Sequence, residues 1–319
     1  MSIPIIGLMI LLTPSDSFNI SGQKVANYAK ISVATTFIVY VVFSQSLAFQ
    51  FNLTENFLGR LEMFSGNPIP FSMAVFGVSI FCLANWRFSN NTDKLVAIIC
   101  LLIGFWLAGI ASGTRGTLLA IIIVIPILIW LFTQSFYLTL LNISLILIIF
   151  WIFRTEIISL FENEYVDRLV NGIDTLLGRS VSDTSVKLRM EMWSSSLFAI
   201  RDNLFWGYDN SNRFTALSPH LPEGFKMGFT HPHNDIFAST ISTGLIGGIL
   251  AIVSLISPVL AGLLSKENFQ EKVLLGGLVS VGILITANMN TVFFNDITAA
   301  WLAFSTFLIW NLNYNENVK

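Results

Sequence analysis

Long apolar runs recur along the whole 319-residue chain. A run that crosses hydrocarbon finds no water for its backbone, which leaves helices or a closed barrel as the only folds open to it. The runs lie at approximately 31–49, 68–86, 95–110, 117–133, 136–153, 236–264, 273–290 and 297–312. Each is close to the ~20 residues a helix needs to cross a bilayer, far above a strand's requirement. Met1 to Thr13 forms a shorter first span, with no basic flank before it and no small-residue cleavage site after it. The expectation is an all-α, polytopic membrane helix bundle of about nine spans. Composition agrees: 54% hydrophobic residues, 11% charged and 28 Phe make the chain too apolar for a water-soluble domain. Pro126 and Pro258 fall inside runs, where membrane helices tolerate proline if neighbours satisfy the freed carbonyls.

Three stretches follow within one membrane domain: an N-terminal transmembrane bundle over 1–153, a helical loop over 154–235 between spans six and seven, and C-terminal transmembrane helices over 236–319. In the loop, Ile158, Phe161, Tyr165, Leu169, Ile173 and Leu176 recur at helical spacing and predict an amphipathic helix on the membrane surface. A second helix is predicted from an N-cap at Asp183 or Ser185, with Met190, Trp193, Leu197 and Ile200 on one face and an end before Gly207. From there to His233 the chain is rich in Asn, Ser, Pro and Gly, which is loop chemistry. One registration puts Lys24, Lys30, Arg87, Lys94, Lys266, Lys272 and Lys319 on one side, against Arg60 and Arg115 in the opposite short loops. The lysine-rich side is then cytoplasmic, and Arg115 and the long loop share the exterior.

Several function classes drop out. A net charge of -2 offers no basic surface for nucleic acid. Cys82 and Cys100 lie inside apolar runs and read as packing residues. The predicted spans hold no charge, which disfavours an ion-coupled carrier. Neither a Gly-x-x-x-x-Gly-Lys loop, a Gly-x-Ser-x-Gly elbow nor an Asp-x-Asp pair occurs. No metal and no other cofactor is expected. The polar residues gather at one membrane face, as an enzyme requires when its substrate keeps a lipid tail in the bilayer and a polar head outside.

Four motifs lie at that face. Ser112-Gly113-Thr114-Arg115-Gly116 is a tight turn that lets a head group approach Arg115, which is otherwise an interfacial anchor. Arg189 and Trp193 stand four apart and share a helix face, so an indole can brace a guanidinium that forks onto phosphate; the plain alternative is a belt tryptophan beside a solvated arginine. Glu191, two residues from Arg189, does not face it. His220, His231 and His233 occupy the loop, and a neutral imidazole suits a general base; structural histidines, or a His231–His233 metal pair lacking further ligands, are the alternatives. Gly244, Gly247 and Gly248 permit close helix contact or backbone approach, and their small-residue spacing reads as packing.

Together, Thr114-Arg115-Gly116, Arg189-x-x-x-Trp193, Gly207 after Asn-Leu-Phe, His233-Asn234-Asp235 and Gly244-x-x-Gly247 resemble the bacterial O-antigen ligase and polymerase superfamily of integral membrane glycosyltransferases, over roughly the C-terminal two thirds of the chain. The resemblance implies a metal-independent, inverting enzyme of lipopolysaccharide or polysaccharide biosynthesis. It would sit in the inner membrane with its site facing the periplasm, and move a glycan from undecaprenyl diphosphate to lipid A core or a growing glycan chain. Arg115 and Arg189 match the positions that hold the diphosphate, and His233 matches the base. Trp193, Asn234, Asp235, Tyr208 and Asp209 are supporting or sugar-orienting candidates. The chain departs from the family pattern at Asn203, often Pro; at Asp209, near where a second glycine is usual; and at Thr243, where a carboxylate is common. Ligase, polymerase and protein glycosylation remain open, as do a lipid-linked glycan exporter and an envelope assembly scaffold.

Overall fold

A computed structural model of the chain describes residues 20–51, 68–135, 137–142, 144–145, 184–222, 232–289, 292–293 and 295–313. The span over 1–13, the amphipathic helix over 158–176, Asp183 and His231 lie outside these residues. The described chain is almost wholly helical: α1 Gly22–Phe51, α2 Pro68–Phe81, α3 Asn91–Phe105, α4 Arg115–Thr133, α5 Thr184–Asp202, α6 Arg213–Leu217, α7 Asp235–Leu255, α8 Ser257–Leu264, α9 Phe269–Met289 and α10 Asp296–Asn311. The one departure among the described residues is a two-residue parallel ladder between Ile20–Ser21 and Leu312–Asn313. Among the described residues six segments are long and apolar enough to cross a membrane: Gly22–Val42, Pro68–Phe88, Asn91–Ala111, Arg115–Thr133, Asp235–Leu255 and Phe269–Asn288. The run at 297–312 forms the shorter α10, of 16 residues.

One expectation about the spans is corrected. The run 236–264 is not one span, because α7 ends at Leu255 and α8 starts at Ser257. Pro258 therefore sits in the first turn of α8, where its missing N–H is not needed, rather than inside a helix; Pro126 does lie inside α4. The predicted runs 31–49 and 273–290 hold no charge, and their helices extend past them to include Lys30 and Lys272. Lys30 is buried in α1 with its Nζ 3.9 Å from Asp93 Oδ1. Lys272 is buried near the start of α9 and donates to Ser265 Oγ at 2.8 Å and to the Trp310 carbonyl at 3.0 Å, so it caps the end of α10.

The chain divides into two compact units. The first comprises residues 1–121 and 250–319, and α2 lies at its centre against α1, α3, α9 and α10. Small residues set these contacts: a Cβ added to Gly262 would lie 2.6 Å from the Lys272 carbonyl carbon, so the backbones of α8 and α9 nearly touch. In α3, Ala97, Cys100, Leu101 and Gly104 face inward while Leu95, Ile99 and Leu102 are exposed, the pattern of a helix with one face to protein and one to lipid. Both cysteines are free and buried, as packing residues.

The second unit, residues 122–249, is built on a small apolar cluster of Ala199, Ala216, Leu217 and Ile241, with Ile200, Tyr208 and Leu221 packed against it. The buried face of α5 differs from the predicted one. Met192, Ser195, Ser196 and Ala199 are enclosed, whereas Met190 and Leu197 are exposed. Small side chains allow close approach, and the two serines satisfy their hydroxyls on the carbonyls of Glu191 and Met192, so a weakly apolar face can be buried.

Candidate active site

Arg115 belongs to the first unit and the other seven candidates to the second. Before Arg115, α3 widens into a π turn over Trp106–Ala111, and the chain then reverses through Gly113, whose φ of +61 suits a residue without Cβ. Ser112 Oγ donates to the Ala108 carbonyl at 2.5 Å, lies 3.0 Å from Thr114 Oγ1, and accepts the Thr114 N–H at 3.2 Å. Thr117, two residues on, shares a 2.8 Å hydrogen bond with Ser72 of α2. The turn is thus tied on both sides. Half-buried Arg115 is placed at the first position of α4, where the helix dipole also favours an anion.

In the second unit α7 is discontinuous. Thr243 (φ -132, ψ 20) and Gly244 (φ 68, ψ -163) leave helical geometry, which frees backbone groups of the preceding turn. The segment after α5 takes them up: Tyr208 N–H donates to the Ile241 carbonyl at 2.7 Å, Asp209 N–H to Ser242 at 2.9 Å, and Leu245 N–H to Leu204 at 2.7 Å. Gly207 and Gly244 meet at this crossing. A Cβ on Gly207 would lie 2.6 Å from Gly244 N, and one on Gly244 would strike the Phe205 carbonyl. The packing expected of Gly244 is therefore against a loop backbone rather than another helix. A broken helix is tolerated in a membrane protein where such partners cover it.

The same crossing explains two of the departures. Asn203 donates its side-chain amide to the Gly207 carbonyl. Asp209 has φ +71, the left-handed region a glycine would favour, and Asp is among the few other residues that enter it. Its carboxylate accepts the Asn210 N–H at 2.6 Å and the Ser211 hydroxyl at 2.8 Å. Those bonds, the Ser211 hydroxyl first, hold its pKa below the ordinary carboxylate value.

Trp193 has a role that helix spacing did not reveal. Its indole Nε1 donates to the Pro232 carbonyl at 3.0 Å, so the helix that carries Arg189 grips the backbone next to His233. Arg189 is half-buried with its Nε enclosed, and Glu191 pairs with Lys187 at 3.8 Å, one turn away on α5. His233 is half-buried, with its Nδ1 enclosed and φ at +51. That conformation is sparsely populated and costs of order 1–3 kcal/mol, and such strain gathers at functional sites. Asn234 then caps α7, its Oδ1 accepting the Phe237 N–H at 3.0 Å.

Asn234 and Asp235 are both enclosed, Asp235 with no exposed surface. Asp235 faces a cation that sequence analysis overlooked. Arg213, 6% exposed, is pulled below its ordinary pKa by burial, and the Asp235 carboxylate opposes that shift. A lone arginine in an Asn- and Ser-rich segment reads as solvated, and the sole hint lay in a carboxylate at the head of an apolar helix. His220 lies elsewhere in this unit, with its Nε2 3.0 Å from Asp202 Oδ2.

Residues 97–252 match the family model described as O-antigen ligase. None of the curated proteins compared with the chain matches it. The matched stretch contains the Arg115 turn, α5 with Arg189 and Trp193, the His233 segment and the break in α7. Residues 97–252, just under half of the chain, are thus similar to the O-antigen ligase family, which supports the O-antigen ligase and polymerase superfamily as the one this chain resembles.

Proposed function

We propose that the chain transfers a glycan from undecaprenyl diphosphate to an acceptor sugar at the periplasmic face of the inner membrane, by a metal-independent, inverting displacement. The acceptor is lipid A core or a growing glycan chain. The observation that carries this reading is the Trp193–Pro232 hydrogen bond of 3.0 Å, which couples the Arg189 helix to the His233 backbone and so links a phosphate ligand to a base. The family match supports a ligase-like glycosyltransferase in general.

The acceptor hydroxyl oxygen attacks the anomeric carbon while its proton passes to the His233 imidazole. The bond from that carbon to the diphosphate oxygen breaks, its electron pair leaves with undecaprenyl diphosphate, and the anomeric centre inverts. Negative charge grows on the leaving diphosphate, where the Arg115 and Arg189 guanidinium groups stabilise it through preorganised, charge-assisted hydrogen bonds. Trp193, Asn234 and the buried Asp235 act as positioning residues for His233, and Tyr208 and Asp209 shape the sugar side.

The test is glycan transfer by the purified full chain in lipid nanodiscs, supplied with carrier-linked glycan and acceptor. Arg115→Ala and Arg189→Ala are each expected to slow transfer on the order of a hundredfold, the loss typical of one preorganised donor. Arg189→Lys recovers only part of the rate, because a single ammonium cannot fork onto phosphate. Transfer at the unmutated rate by both alanine variants would overturn the assignment.

A further inference from the structure

One concave feature of the second unit is an open cleft of about 390 Å³ lined by Asp202, Tyr208, Asn212, Thr215, Pro219 and His220, of which the proposed reaction uses only Tyr208. Its volume falls within the ~300–1,000 Å³ range of small-ligand sites. Its walls are held firmly. His220 is fixed at its ring nitrogen by Asp202 at 3.0 Å, and on its ring face by Phe198, stacked at 5.8 Å between centroids. Its carbonyl lies 2.9 Å from Ser195 Oγ, whose single hydroxyl hydrogen it shares with the Glu191 carbonyl at 2.8 Å. Tyr208 is pinned through its own N–H to Ile241 and packs on the apolar cluster. The half-buried His220, at the end of the 3-10 turn Ser218–His220, is thus held on its ring edge and on its ring face.

The lining chemistry selects the ligand. A carboxylate, an imidazole, an amide and two hydroxyls offer both donors and acceptors, as sugar hydroxyls require, while Tyr208 and Pro219 offer apolar surface to the C–H face of a pyranose. Among the described residues no Lys or Arg lines the cleft, so there a phosphate or diphosphate would meet the Asp202 carboxylate without a counter-charge. We infer that this cleft is a binding subsite for an uncharged sugar unit of the glycan. The chemistry of the subsite stands on these residues, and the source of its sugar rests on the transferase reading above.

The test uses the full chain in nanodiscs and two soluble probes: acceptor oligosaccharide freed of lipid from the producing bacterium's envelope, and donor glycan released from its carrier diphosphate. Binding is followed by saturation-transfer NMR. At least one probe is expected to bind with Kd tighter than about 1 mM, and which of the two does so identifies the source. Thr215→Trp fills the cleft from an exposed position and is expected to weaken that binding at least tenfold, as is Asn212→Ala, with thermal unfolding unchanged in both. Failure of both probes to bind, or binding indifferent to both substitutions, overturns the subsite. Transfer by the unmutated protein is measured alongside. Transfer without cleft binding sinks this inference alone, and cleft binding without transfer sinks the reading under Proposed function alone.

Discussion

His233→Ala is expected to slow glycan transfer by about 10²–10⁴-fold, the range a positioned general base contributes. Binding of the carrier-linked donor should stay near its unmutated level. The split follows from where the proposed base would act: on that reading the imidazole takes a proton from the acceptor hydroxyl as the new bond forms and does not hold the diphosphate. Position 233 has φ +51, which histidine tolerates better than most residues, so the substitution adds some backbone cost. His233→Asn controls for this, because asparagine also accepts the left-handed region but cannot serve as a base. Both variants should therefore be slow, with the asparagine form closer to native stability. Transfer is measured as release of undecaprenyl diphosphate under single-turnover conditions. A His233→Ala enzyme that turns over at the unmutated rate removes the base from the account, and an exporter would behave in that way.

Asp235→Ala is expected to destabilise the folded protein by about 3–5 kcal/mol, the cost of leaving one member of a buried charge pair without the other. Asp235 has no exposed surface and Arg213 is 6% exposed, so solvent cannot take over the missing partner. The second unit has only a small apolar core to absorb the loss. Thermal unfolding in detergent reads the effect. The double variant Arg213→Met with Asp235→Leu should recover most of it, because replacing both charges removes the desolvation cost along with the attraction. An Asp235→Ala protein that unfolds at the unmutated temperature would mean that the carboxylate does not hold this unit together.

The membrane architecture was legible because apolar length is a local signal: the runs at 68–86, 95–110 and 117–133 each lie within a structural span. The end of α5 before Gly207, and the turn before Arg115, were legible from glycine and polar punctuation. What was not legible depends on contacts between distant segments. Nothing between residues 236 and 255 marks a break, since Gly244 alone is common in membrane helices. The break exists because the carbonyls of Ile241 and Ser242 meet N–H groups of Tyr208 and Asp209, more than thirty residues earlier. Trp193 was assigned to Arg189 by helix spacing, yet its indole donates to Pro232, which no periodicity encodes. The buried face of α5 was misplaced because Ser195, Ser196 and Ala199 carry little hydrophobic signal, while the exposed Met190 and Leu197 carry much. Arg213 escaped notice because its partner lies 22 positions along the chain, at the head of α7.

Asp209 shows how a departure from a family pattern can preserve its physics. Asp209 stands near where the family pattern has a second glycine, and its φ of +71 lies in the left-handed region that glycine favours. Its carboxylate then stabilises the turn through Asn210 and Ser211. Asp209 therefore keeps the docking of this loop onto the broken helix, and it places a charged, exposed residue at the turn.

The account rests on Arg115, Arg189 and His233 acting on one bound molecule. The most direct measurement is a cryo-electron microscopy structure of the full chain in nanodiscs with undecaprenyl diphosphate bound. The account predicts both guanidinium groups at hydrogen-bonding distance, about 2.7–2.9 Å, from diphosphate oxygens, with the His233 imidazole facing the terminal phosphate where the anomeric carbon would sit. A diphosphate held by neither arginine, or bound with His233 turned away from it across an intact wall of protein, would contradict it.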